Sequence, residues 1–178
     1  HYRKRLTKLN MQYLLGGDQI ADSLAEFDEN LDQITQAQAW AVTQVQSADT
    51  STEKGKATHD VAADLVEDLA DVGFDLLLLR LPLDECVNWL ESALDAAQRL
   101  RRPREASVHH GNLGIVYRRL NEFSVAKQHL TDAIEIASEL EDAELMAGHF
   151  GGLGGVYLDL DQLDEAAKYY SQALQVAV

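Results

Sequence analysis

The chain has 178 residues, 46% hydrophobic and 25% charged, so it can bury a hydrophobic core and is not a disordered tail. Its 15 Lys and Arg against 30 Asp and Glu give a net charge of −15, which argues against nucleic acid and anionic membranes as partners. We expect no membrane span and no signal peptide, because the sequence contains no apolar run of the required length. A single cysteine makes no internal disulfide, which is typical of a cytoplasmic protein.

Long helices are predicted for the first part of the chain, because the whole sequence contains only two prolines and proline breaks helices. We predict helices near residues 2–15 and 19–46, with a turn between them at residues 16–18. A polar loop near residues 47–55 is followed by a long helix that ends at about Arg80. The first part is therefore predicted to be entirely helical.

The second part of the chain repeats itself at an offset of 40 residues. Residues 104–138 and 144–178 are identical at ten of 35 aligned positions, where average composition predicts about two. Residues 83–97 match residues 163–177 at six positions, which indicates a third and more degenerate copy. We predict an N-terminal helical extension over residues 1–56 and an array of repeats over residues 57–178, packed as one continuous unit. The predicted repeats cover residues 57–103, 104–143 and 144–178.

Each repeat is predicted to be a pair of antiparallel helices. Apolar and small residues recur at spacings of three and four, and short polar breaks separate the runs. Pro82 and Pro103 mark helix boundaries, and Asp142 is placed to cap the helix that opens the third repeat. Gly114 and Gly154 occupy matching positions where we predict that two helices approach closely.

Two copies of one motif point to a repeat family. Each copy reads L-G-x-x-Y followed by two alanines seven residues apart, at Leu113, Gly114, Tyr117, Ala126 and Ala133, and again at Leu153, Gly154, Tyr157, Ala166 and Ala173. The pattern resembles the tetratricopeptide repeat, and the 40-residue period with Gly-Asn-Leu-Gly at residues 111–114 resembles its long-helix variant. This resemblance implies an all-α fold, namely a right-handed α-solenoid of about three helical hairpins.

The N-terminal extension carries a second resemblance. A helix, the stretch Phe-Asp-Glu-Asn-Leu at residues 27–31, and the pair Trp40-Ala41 run into the repeats. This order is similar to the region behind the nucleotide-binding core of STAND signalling ATPases. The resemblance implies that the chain is the sensor or scaffold arm of a larger cytoplasmic signalling protein.

Motifs for catalysis, metal binding or phosphate binding are not found in the sequence. The glycines of residues 148–155 lack the G-K-[S/T] of a Walker loop and the strand that precedes a dinucleotide loop. His109 and His110 point to different sides of a helix, and His149 fills the repeat position of His109, which favours packing over metal binding. Cys86 replaces an alanine of the other repeats and is expected to be buried. We therefore predict no enzymatic activity, no cofactor and no metal.

In the family that the repeats resemble, successive first helices line a concave groove that holds a segment of another protein. By position, the resemblance assigns groove-facing residues to the second repeat (Asn112, Ile115, Arg119) and to the third repeat (Gly152, Gly155, Asp159). Asn112 matches the family asparagine that bonds a bound peptide's backbone. Arg118 and Arg119 are candidates for recognising a carboxylate, because guanidinium pairs bidentately with it, while Arg119 also fits an ordinary surface arginine.

The predicted function is a protein–protein interaction scaffold that binds a peptide or partner segment in this groove, with a small-ligand-sensing regulatory domain as the alternative. Residues 80–119 carry seven basic and five acidic groups between two acidic flanks, so an acidic end of the partner is expected beside Arg118 and Arg119. The sequence ends at Val178 without a polar capping helix. We therefore expect that the array continues, or that this end packs on another copy of the chain.

Overall fold

The structure, a computed structural model, describes residues 2–177 and contains nine α-helices and no strand among them. In chain order the helices are α1 (Tyr2–Leu15), α2 (Gln19–Ser47), α3 (Glu53–Val72), α4 (Phe74–Arg80), α5 (Leu83–Arg99), α6 (Pro103–Arg119), α7 (Phe123–Glu139), α8 (Ala143–Asp159) and α9 (Leu163–Val176). The predicted all-α class is confirmed. Val178, on which the prediction of an uncapped end depends, lies outside the described residues.

The helices form two compact units, which we call the N-unit (residues 1–100) and the C-unit (residues 101–178). The predicted helices near residues 2–15 and 19–46 agree with α1 and α2 to within one residue. The predicted division into an extension over residues 1–56 and one continuous array over residues 57–178 stays a prediction.

The N-unit is held together by buried side chains that its helices direct toward a shared core. On α2 the buried residues recur every three or four positions, so that they form a single stripe along the helix. In the N-unit α2 packs against α1 and α3, and α5 packs against α3. The resulting core consists of Leu6, Leu9, Phe27, Ile34, Leu69, Leu76, Leu77 and Trp89.

The prediction of one long helix that ends at about Arg80 is wrong in one respect, because the helix breaks at Gly73 into α3 and α4. Gly73 has φ −101° and ψ 4°, a backbone conformation that ends α3, and glycine is a poor helix former. The break lets α4 turn and bury Leu76 and Leu77 in the core. At the end of α4, Arg80 makes two hydrogen bonds to the carboxylate of Asp28 on α2, at 2.5 and 3.1 Å.

In the C-unit, α6 and α8 begin 40 residues apart, in agreement with the offset of the sequence repeat. Each helix hairpin closes with a residue in the left-handed conformation, namely Asn121 at φ 61° and Asp161 at φ 57°. After α6 the N–H of Asn121 donates to the carbonyl of Arg118 and that of Glu122 donates to Tyr117, at 3.0 and 2.9 Å, which is the Schellman arrangement. These short turns make consecutive helices run antiparallel, as the sequence predicts.

The connection from α7 to α8 uses the same turn followed by an N-cap. Glu141 has φ 54°, and the N–H of Asp142 donates to the carbonyl of Ala137 at 3.0 Å. The Asp142 side chain accepts a hydrogen bond from the backbone N–H of Leu145 at 3.1 Å. The predicted capping role of Asp142 is therefore confirmed.

Replacing Glu141 by glycine should stabilise the C-unit by about 0.5–1 kcal/mol. A side chain costs about 1–2 kcal/mol in the left-handed conformation, and the greater freedom of glycine in the unfolded chain offsets part of the gain. Urea denaturation followed by circular dichroism measures the change. Glu135→Gly is the matched control, because Glu135 is also exposed but lies inside α7, where glycine should cost about 1 kcal/mol. A loss of stability in both variants would contradict the prediction.

Candidate functional site

Glycines allow the helices of the C-unit to approach one another. A Cβ at Gly114 of α6 would lie 2.5 Å from Cγ of Leu130 on α7, and a Cβ at Gly154 of α8 would lie 2.8 Å from Cε1 of Tyr170 on α9. Both distances are shorter than an ordinary van der Waals contact, so a larger residue would push the helices apart. The close approach predicted at Gly114 and Gly154 is therefore present.

Among the residues predicted to line the groove, Arg118 and Asp159 form a bidentate ion pair. Arg118 Nε donates to Asp159 Oδ2 at 2.6 Å, and Arg118 Nη2 donates to Asp159 Oδ1 at 3.1 Å. This bidentate pair joins the end of α6 to the end of α8 and, through its hydrogen bonds, raises the pKa of Arg118 and lowers the pKa of Asp159. A Cβ at Gly155 would overlap the guanidinium, so the missing side chain makes room for the pair.

The pair changes what each predicted site residue can do. Arg118, predicted to recognise a partner's carboxylate, already binds a carboxylate of its own chain. Gly152, predicted to face the groove, is directed instead at Leu130, whose Cδ2 would lie 2.6 Å from a Cβ added there. The structure thus brings Arg118, Gly155 and Asp159 together as one arrangement and turns Gly152 toward α7.

The remaining predicted residues lie along α6. Asn112 and Ile115 are half-buried and Arg119 is exposed. They are spaced at i, i+3 and i+7, which places them on one face of the helix. Within residues 2–177, Arg119 makes no hydrogen bond or ion pair. Asn112, Ile115 and Arg119 therefore form a stripe on one face of α6, which we call the α6 stripe. Its cation, Arg119, is unpaired within the described residues.

Two of the glycines in α8 border open space. A Cβ added at Gly148 or at Gly151 would meet no atom within 4 Å. The backbone of α8 is therefore uncovered at these two positions, and another chain can approach it closely.

Replacing Gly151 by alanine should raise the free energy of unfolding by about 1 kcal/mol, because alanine is the better helix former and no neighbour obstructs the methyl group. Thermal or urea denaturation measures the gain. Gly154→Ala is the control, since its Cβ would lie 2.8 Å from the Tyr170 ring and the same propensity gain is opposed by a clash. Equal effects at both positions would show that packing around α8 differs from that described.

Two histidines are packed inside the C-unit, as their shared repeat position predicts. His109 is almost completely buried, and burial lowers the pKa of His109 and of His149 to about 4. Ser107 Oγ donates to the carbonyl of Ala133 at 2.9 Å and lies 3.0 Å from His149 Nε2. Because the hydroxyl has one proton, His149 Nε2–H is assigned as the donor in the second bond.

One cluster of side chains is not predicted by the sequence analysis. His110 of α6 lies with its Nδ1 3.0 Å from Nδ1 of His129 and 3.9 Å from an oxygen of Asp132, both on α7. The sequence places His110 next to His109 but gives no indication that His129 lies beside it. The available signal is the i, i+3 spacing of His129 and Asp132, which places them on one face of α7.

Cys86 is buried, as expected from the alanines at its position in the other repeats, and its thiol lies 3.7 Å from the carbonyl oxygen of Leu77. Among the helices within residues 2–177, none combines the length and the apolarity that crossing a membrane requires.

Comparison with known proteins identifies the repeats. Family models described as "Tetratricopeptide repeat" match residues 71–139 and residues 150–177. No curated protein sequence matches the chain.

Two solved structures are similar to the chain. One is the TPR domain of Arabidopsis FLU, with a TM-score of 0.58 and 18% identity over 64% of this chain and 95% of that domain. The other is BtubC (BKLC) from P. vanneervenii, with a TM-score of 0.54 and 21% identity over 80% of this chain. The alignment covers 56% of BtubC, and identities this low support a shared fold alone. The STAND resemblance and the 40-residue variant stay predictions. The chain carries tetratricopeptide repeats, within residues 71–139 and 150–177.

Proposed function

We propose that the chain is a non-enzymatic interaction module that binds a segment of another protein along the α6 stripe. Tetratricopeptide repeats generally mediate protein–protein interaction. The observation that supports this surface is the exposed guanidinium of Arg119, which is on the same face of α6 as Asn112 and Ile115. Arg118 is a weaker candidate for partner recognition, because the Nε and Nη2 edge of its guanidinium already donates to Asp159.

The chemistry of the stripe determines the partner segment. The Asn112 amide offers both donors and an acceptor to a peptide backbone, and Ile115 offers a small apolar contact. Arg119 pairs with a carboxylate, so the segment carries an acidic side chain or a terminal carboxylate at that end.

We also propose that this module is the regulatory arm of a larger cytoplasmic signalling ATPase. The support is the sequence resemblance carried by the Phe-Asp-Glu-Asn-Leu stretch at residues 27–31 and the pair Trp40-Ala41, which precede the repeats. The expected finding is a nucleotide-binding core encoded upstream of this sequence. A parent sequence with no such core would overturn this part of the proposal and leave the interaction module intact.

Charge reversal at Arg119 tests the binding surface. Peptides selected from a random library for binding to the wild-type chain should be enriched in acidic residues. Arg119→Glu should lower the affinity of these peptides at least about tenfold, as measured by fluorescence anisotropy, because it removes one interface hot spot.

Arg101→Glu is the matched control for this experiment. Arg101 is also exposed, and its left-handed φ of 55° is close to the 54° of Glu141, so glutamate is accommodated in that conformation. The control should change affinity less than about twofold, as for a rim charge. Peptides that bind Arg119→Glu as tightly as the wild type would contradict the proposal. Thermal stabilisation by metabolites alone, unchanged in Arg119→Glu, would favour the small-ligand alternative.

Self-association through the C-terminal end stays a prediction. On α9, Leu163 and Leu174 are 59% and 71% exposed, and they lie with Tyr170 on one face of the helix. Sedimentation velocity of the chain over a range of concentrations tests whether this apolar face pairs two copies.

A further inference from the structure

His110, His129 and Asp132 bring three metal-ligating groups together across the hairpin of α6 and α7. One ligand atom from each residue lies within 4.8 Å of the others. His110 is buried, whereas His129 and Asp132 are half-buried, so the cluster has one enclosed side and one side open to solvent. This His–His–Asp cluster belongs neither to the α6 stripe nor to the pair of Arg118 and Asp159.

The spacing of the cluster fits a small divalent ion. Zinc binds imidazole nitrogen and carboxylate oxygen at about 2.0–2.2 Å, so two ligands of a tetrahedral site are about 3.3 Å apart. The two imidazole Nδ1 atoms are 3.0 Å apart, and His110 Nδ1 is 3.9 Å from Asp132 Oδ2. These two distances lie on either side of the tetrahedral value, so small rotations of the side chains suffice to form the site.

We propose that His110, His129 and Asp132 bind a divalent transition-metal ion of the zinc type, with solvent completing the coordination. Two imidazoles and one carboxylate select zinc, copper or nickel over magnesium and calcium, which prefer oxygen ligands. The open side at His129 and Asp132 provides both the entry path and the place for a water ligand.

The surroundings of the two imidazoles favour metal binding through ring orientation and protonation state. The Tyr117 ring stacks on the His129 ring with centroids 5.4 Å apart and an angle of 7° between planes, which restricts the orientation of His129. Burial lowers the pKa of His110, and the neutral imidazole is the form that binds a metal. Because the ligands come from two helices, the bound ion ties α6 to α7 and stabilises the hairpin by mass action.

The proposal is tested by isothermal titration calorimetry, in which ZnCl₂ is added to the metal-stripped chain at pH 7.5. We expect saturable binding of one Zn²⁺ per chain. His129→Gln and Asp132→Asn should each weaken it at least about tenfold, because each removes one of three ligands. Both positions are half-buried, and circular dichroism of each variant confirms that it is folded. MgCl₂ at the same concentration should not compete.

His59→Gln is the matched control, because His59 is also a buried histidine 3.3 Å from a carboxylate, that of Asp60. Among the described residues it does not belong to a group of three metal-ligating side chains. The control should change the affinity less than about twofold. The second readout is hydrogen exchange, in which Zn²⁺ should slow the amides of α6 and α7 in the wild type and not in His129→Gln. Absence of saturable binding, or binding that survives both ligand substitutions, would overturn the site.

Discussion

Replacing Leu130 by alanine is expected to lower the free energy of unfolding of the C-unit by about 3 kcal/mol, within the range measured for buried leucines. Leu130 is 1% exposed and packs with Leu153 and Val156 in the core of the C-unit. It also fills the space beside Gly114 and Gly152, where the neighbouring surface is helix backbone. Because helix backbones collapse into a void less readily than side chains do, most of the cavity should remain.

Native-state hydrogen exchange of the slowest amides in α6 and α7 measures this loss within the C-unit. Leu158→Ala on α8 is the matched control, since Leu158 is 48% exposed and the same substitution there removes little buried surface. We expect the control to cost less than about 1 kcal/mol. Equal losses at Leu130 and Leu158 would show that Leu130 does not anchor the hairpins.

A double-mutant cycle identifies the contact responsible. Gly114→Ala alone should destabilise the C-unit by about 1–3 kcal/mol, because its Cβ would lie 2.5 Å from Leu130 Cγ. In the Leu130→Ala background that obstacle is gone, so alanine at position 114 should be neutral or stabilising through its helix propensity. The two effects should therefore be non-additive, and strict additivity would contradict direct packing of Leu130 on Gly114.

Most of the fold could be predicted from the sequence where the signal is local. Pro103 opens α6 and Asp142 caps α8, and both effects depend on a few neighbouring residues. The break at Gly73 is different, because Leu76 and its neighbours continue the apolar run of α3. What decides that break, beyond the glycine at position 73, is the burial of Leu76 and Leu77 in the core. The contact of Arg80 with Asp28, 52 residues away in sequence, adds to the docking of α4. A contact of that range leaves no local pattern.

The candidate site could be predicted in part. The repeat motif places Asn112, Ile115 and Arg119 on one face of α6 without any knowledge of packing. The partner of Arg118 depends on how α6 stacks on α8, and the sequence offset does not say which carboxylate the guanidinium reaches. The pairing of His110 with His129 likewise requires the hairpin geometry of α6 and α7, since the two residues are 19 positions apart.

Acidification should destabilise the C-unit through His149. Burial holds the pKa of His149 at about 4, well below its usual 6.5, although the nearby Asp142 carboxylate favours its protonation and His110 opposes it. Above pH 6.5 the imidazole is neutral in the folded and unfolded chain, so it has no effect. As the pH falls from 6.5 toward 4, the unfolded chain binds the proton and the folded chain does not, so stability is lost by up to about 3 kcal/mol.

The contribution of His149 is isolated by comparison with His149→Gln. The glutamine does not titrate, and its amide N–H can still donate to Ser107 Oγ. Urea denaturation at pH 7.5 and pH 4.5 should show a larger loss in the wild type than in the variant, by about 2–3 kcal/mol, because every other titrating group is common to both. The ring also fills the space against α6, where a Cβ at Gly111 would lie 2.5 Å from His149 Cε1, so the variant should be less stable at pH 7.5. Equal acid losses in the two proteins would mean that His149 is already solvated in the folded chain and contributes by packing alone.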